Sequence, residues 1–85
     1  MASYSLVLKR SAAKEIEALP RDERARVVER IGRLADDPRP AGCEKLSGQE
    51  RYRVRQGRYR ILYEIVDHEL VVIVVRVADR KEAYR

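Results

Sequence analysis

The sequence predicts an α+β domain with the order β-α-α-β-β-β, in which a helical hairpin packs on one face of a four-stranded, mainly antiparallel sheet. Three observations carry that reading. Residues 51–65 alternate with period two on both sides of Gln56-Gly57, as two half-buried strands around a tight turn do. Leu70 to Val77 is a nearly continuous β-branched run, expected of an interior strand buried on both faces. Between Ser11 and Asp37 the apolar residues recur at helical spacing, with charges on the other side.

Taken in order, Ser3 to Leu8 reads as the first strand. Ser11 is placed to cap the helix that follows, whose stripe is Ile16 and Leu19. Pro20 ends that helix or opens the next. From Arg21 to Asp37, Val27, Val28, Ile31, Leu34 and Ala35 form an apolar stripe, with Asp22–Arg26 and Glu29–Arg33 as i,i+4 pairs on the solvated face. Pro38 and Pro40 stop the second helix. Residues 38–50 form the one real loop, followed by the hairpin, whose second strand is expected from Arg58 to Val66. Asp67-His68 make the next turn. No repeat, low-complexity tract or linker interrupts the 85 residues, so residues 1–85 are read as one domain.

The composition narrows the functional classes. The net charge is +5 and its distribution is uneven: residues 1–50 hold ten Lys/Arg against nine Asp/Glu, and residues 51–85 hold nine against five. A localised basic excess points toward nucleic acid better than a high isoelectric point does. Cys43 is the only cysteine, which leaves no internal disulfide or cysteine-based metal site and fits a reducing cytoplasm. No signal peptide is expected, and the longest apolar run is far too short to span a bilayer.

The hairpin concentrates the charge. With Gln56 and Gly57 as a two-residue loop, Arg55 is expected opposite Arg58, and Arg53 opposite Arg60. Alternation then puts Arg53, Arg55, Arg58 and Arg60 on one face, with Tyr52, Val54, Tyr59 and Ile61 on the other. A single arginine on a strand face is ordinarily a solvated one whose stem covers apolar surface. Four together, with no carboxylate between Arg51 and Glu64, repel one another and favour an anionic ligand, above all phosphate.

Several chemistries lack their residues. There is no Gly-rich phosphate loop, HExxH or GxSxG. His68 is the only histidine and falls in an expected turn, which argues against a metal or a histidine-based triad. No metal or cofactor is expected. Arginine stays protonated and offers a planar fork to phosphate oxygens, which suits charge stabilisation but not proton abstraction. Tyr84 is the candidate base if neighbouring arginines lower its pKa, although a tyrosine near a C-terminus is often only packing.

At this point the chain resembles the RelE/ParE superfamily of type II toxins over essentially its whole length. The resemblance rests on Lys45-Leu46-Ser47-Gly48, on Tyr52-Arg53-Val54-Arg55, on Gly57-Arg58-Tyr59-Arg60-Ile61-Leu62-Tyr63-Glu64-Ile65, and on the ending Arg76 to Arg85 with Arg80 and Tyr84 four apart. It implies a ribosome-dependent mRNA endoribonuclease without a metal, in which the ribose 2′-hydroxyl attacks its own 3′ phosphate. It also implies neutralisation by a cognate, RelB-like antitoxin. Carried over by position, Arg60 and Arg80 match arginines on the scissile phosphate, and Tyr84 matches the proposed base and stacking platform. Arg55 joins the catalytic set. Arg53, Arg58, Lys45 and Lys81 make up the expected RNA-binding set. Arg53 and Arg55 stand where the RelE pattern has lysine, a departure that bears on the base, because arginine does not release its proton. Two alternatives share these features: a ParE-like inhibitor of DNA gyrase, and a basic nucleic-acid-binding module without catalysis.

Overall fold

The computed structural model describes residues 3–46 and 50–79. It contains β1 (Ser5–Leu8), α1 (Arg10–Glu17), α2 (Arg21–Leu34), β2 (Glu44–Lys45), β3 (Arg51–Gln56), β4 (Tyr59–Val66), a single 3₁₀ turn (Asp67–Glu69) and β5 (Val71–Asp79). The strands form one five-stranded mixed sheet in the order β1-β5-β4-β3-β2. The expected α+β order holds, and β2 is a fifth strand that the sequence reading left in the loop. Only β1 and β5 run parallel, with Ser5 opposite Val71 and Leu8 opposite Val74.

The helices cover one face of this sheet. Ala12 and Ile16 of α1 and Val27, Ile31 and Leu34 of α2 share a core with Tyr52, Val54, Ile61, Tyr63, Val72 and Val74. These strand residues sit at alternate positions, so the period-two pattern of the sequence marks the helix-facing side. Val71, Ile73 and Val75 remain only half-buried, because no layer packs on the other side of β5 among the described residues.

Two local expectations change. Lys9, not Ser11, is the residue before α1, and the Ser11 hydroxyl donates to the Val75 carbonyl at 3.5 Å. That carbonyl belongs to an irregularity in β5: Leu62 pairs with Arg76 but Tyr63 pairs with Val74, so Val75 is an extra residue. Glu15 of α1 also serves it, accepting the Val77 N–H at 2.8 Å. The second change concerns the hairpin. Arg55 pairs with Arg60, Gln56 with Tyr59 and Arg53 with Leu62, so the loop is Gly57-Arg58. Gly57 has φ +61° and holds the first loop position, where a type II′ turn needs glycine; the sequence reading had placed it second, as type I′ does.

Candidate functional site

The corrected register preserves the face of the strand residues and rearranges their pairing. It differs from the expected one by two residues, an even number, so Arg53, Arg55 and Arg60 still project from the side opposite the helices. Arg55 now lies directly across from Arg60, and Ala78 lies beyond it on β5. Arg55 is exposed, whereas Arg60 is buried, with 3% of its surface accessible. Placing a charge there costs desolvation, and it gives the site one guanidinium with few conformations and one that reaches solvent.

Arg53 flanks this pair but is already engaged. β2 brings Glu44 opposite Arg53, and the two side chains form an ion pair. Arg51, further along the same face, pairs with Glu64 at 3.1 Å. The absence of carboxylates within the hairpin sequence therefore does not make the folded face wholly cationic: a neighbouring strand and the far end of β4 supply them. Lys45 lies on β2 opposite Tyr52, on the helix-facing side of the sheet and away from the arginine face, and approaches Glu50 at 3.7 Å.

Arg58 leaves the group. It occupies the turn, where its Nε is 3.2 Å from Asp79 Oδ2 and its Nη2 is 3.8 Å from Glu23 Oε2. Its contact with Glu23 directs it to α2, on the helix side, so the expected fourth member of the arginine face is absent from it. Arg80, Lys81 and Tyr84 lie outside the described residues.

A second polar cluster braces the loop leading to β2. Arg39 donates twice to Asp67, at 3.1 and 2.9 Å, and its Nε donates to the Tyr52 hydroxyl at 3.2 Å. Tyr4 also donates to Asp67, at 2.8 Å. The Arg39 and Tyr4 hydrogen bonds hold the Asp67 carboxyl down at about 2. Behind them, the fully buried Tyr63 hydroxyl donates to the Pro38 carbonyl at 2.7 Å and lies 3.3 Å from the Cys43 sulfur. Burial, then the Cys43 contact, raises the Tyr63 pKa, which excludes it as a base. Tyr59 is also pushed upward, by its hydrogen bond to Glu23.

On the far side of the molecule, Leu6, Leu8, Ile16, Val28 and Ile31 line an apolar groove of about 440 Å³ between β1 and the helices. Val28 was expected in the core stripe and is instead 52% exposed. Among the described residues no group of three His, Cys, Asp or Glu converges as a metal site, and no helix is long and apolar enough to cross a membrane.

Residues 6–84 match the family model for the ParE toxin of the type II toxin–antitoxin system parDE. The chain belongs to the RelE/ParE toxin superfamily. Toxin RelG of Mycobacterium tuberculosis is similar at 33% identity, over 96% of this chain and 97% of that protein. Among solved structures, a chain of the toxin–antitoxin complex RelBE2 from Mycobacterium tuberculosis superposes with a TM-score of 0.81 at 30% identity, covering 92% of this chain and 99% of that one. An archaeal RelE–RelB complex from Pyrococcus horikoshii gives 0.83 at 25%, covering 92% and 96%. The protein is therefore a toxin of a type II toxin–antitoxin system, and the arginine face lies on the side of its sheet opposite the helices.

Proposed function

We propose that this toxin is a RelE-like, ribosome-dependent endoribonuclease that cuts mRNA in the A site and stops translation in the cytoplasm. The observation that carries the reading is the cross-strand pair Arg55–Arg60 on the helix-free face, with Arg60 buried. The ribose 2′-oxygen forms a bond to phosphorus as the bond to the 5′-oxygen breaks, leaving a 2′,3′-cyclic phosphate and a 5′-hydroxyl. Negative charge grows on the phosphoryl oxygens during this step. Fixed guanidinium groups stabilise it without reorganising, which is the largest contribution an arginine site can make. In this reading Arg60 and Arg55 hold the scissile phosphate, Arg80 adds charge beside the leaving oxygen, Tyr84 takes the 2′-hydroxyl proton, and water supplies the proton that the 5′-oxygen gains as it leaves. Arg53 and Lys81 bind flanking phosphates. No metal or cofactor takes part.

A RelB-like antitoxin is the proposed partner. The apolar groove beside β1 is suited to the apolar face of an amphipathic helix, and related toxins have been solved as complexes with antitoxins. One observation favours a second reading, inhibition of gyrase: the matched family model is that of ParE. Primer extension on a translated mRNA, with gyrase supercoiling measured in parallel, separates them. The proposal expects codon-phased cuts only when ribosomes are present and supercoiling at the control rate. Intact mRNA with blocked supercoiling would establish the ParE-like activity instead. RNA binding without either effect would leave a non-catalytic module.

A further inference from the structure

We infer that Arg58 is a positioning residue, which ties the end of β5 and the first turn of α2 to the hairpin and so fixes the strand pairing around Arg60. This rests on the endoribonuclease reading above for its catalytic consequence, though not for its geometry. The Arg58 Nε lies 3.2 Å from both Asp79 Oδ2 and the Tyr59 hydroxyl. Its guanidinium covers the Tyr59 ring, with the Cζ atom 5.3 Å from the ring centre. The Tyr59 hydroxyl in turn donates to Glu23, an acidic residue in the first turn of α2, where the helix dipole favours a carboxylate.

These contacts meet at one place in the sheet. Tyr59 pairs with Asp79, and the next pair inward is Arg60 with Ala78. The cluster thus closes the end of the β4–β5 ladder beside the buried Arg60, and Asp79 directly precedes Arg80 in the chain. Asp79 and Glu23 offset the Arg58 charge, which weakens its pull on a phosphate even though the side chain is exposed. Each of these ion pairs is partly exposed and adds little stability by itself. Their effect is geometric, and catalysis depends steeply on sub-ångström placement of charged groups.

The test compares Arg58→Ala and Arg58→Lys with the parent in two measurements. In single-turnover cleavage on programmed ribosomes, Arg58→Ala is expected to lower the maximal rate about tenfold, with half-saturation and salt dependence unchanged. Arg58→Lys, which keeps a charge near Asp79 and Glu23, is expected to recover much of that loss. In amide hydrogen exchange, Arg58→Ala is expected to speed exchange at Arg60 and Asp79 about tenfold, with the β3–β4 centre unchanged. A weaker half-saturation and a shallower salt dependence at an intact maximal rate would make Arg58 an RNA contact and overturn the inference. Unchanged exchange at Arg60 and Asp79 would overturn it as well. A parent that cuts no mRNA removes the endoribonuclease reading, and the exchange measurement still decides the role of Arg58.

Discussion

Replacing Tyr63 with phenylalanine removes one hydroxyl and keeps the ring, so it isolates the tether between β4 and the loop that leads to β2. Tyr63 is fully buried, and its hydroxyl donates to the Pro38 carbonyl at 2.7 Å. The ring still fills its space against Tyr52, whose centre is 5.9 Å away, so no cavity term is added. What is lost is the hydrogen bond to Pro38 and the weaker contact with the Cys43 sulfur, together with the solvation of an acceptor that the fold has buried. Together these cost about 1–2 kcal/mol. For a domain of this size that lowers the melting temperature by roughly 4–16 °C. Thermal and urea unfolding followed by circular dichroism measure it, with Tyr52→Phe as the control. The Tyr52 hydroxyl accepts from the partly exposed Arg39 at 3.2 Å, so that change should cost less than about 1 kcal/mol. If Tyr63→Phe unfolds like the parent, the hydroxyl does not hold the loop and the bracing argument fails.

Two further outcomes follow from the ion pairs. Glu44→Gln releases Arg53 from its carboxylate partner, so single-stranded RNA should bind several-fold more tightly, with a salt slope steeper by about 0.7; fluorescence anisotropy across a salt series reads both. Asp67→Asn addresses acid stability. The Asp67 carboxyl is held at about 2, against an ordinary value of 3.8, so its stabilisation is complete above the ordinary value and disappears as pH falls through about 2. The parent should therefore lose stability between about pH 4 and pH 2 more steeply than Asp67→Asn, as acid-induced unfolding curves would record.

The sequence made the faces of the hairpin legible and its partners illegible, for a physical reason. Alternation reports parity, and parity survived the two-residue difference in register, so Arg53, Arg55 and Arg60 were placed on the correct side. Turn type depends on which loop position takes positive φ, and glycine suits both type I′ and type II′. That ambiguity moved Arg58 from the sheet face to the turn. β2 is only Glu44–Lys45, too short to show a period, and so the carboxylate opposite Arg53 could not be foreseen. Glu23 and Asp79 lie 35 and 21 residues from Arg58 in sequence, and only the packing of α2 and β5 brings them to it. Val28 keeps helical spacing with the core residues yet lines the open groove, since periodicity marks a stripe without saying whether anything covers all of it. The clustered arginines of the last strands were the durable signal, because strand geometry alone puts them together.

The central claim is that a guanidinium fork fixed at Arg60 stabilises the scissile phosphate, and Arg60→Lys tests it most directly. The substitution keeps a positive charge at a buried position and deletes the planar, two-pronged geometry. Single-turnover cleavage of mRNA on programmed ribosomes should fall about 10²-fold or more, with ribosome binding within about twofold of the parent and the fold intact by circular dichroism. Cleavage by Arg60→Lys at the parental rate would contradict the claim, and the reacting phosphate would then have to lie elsewhere on the protein.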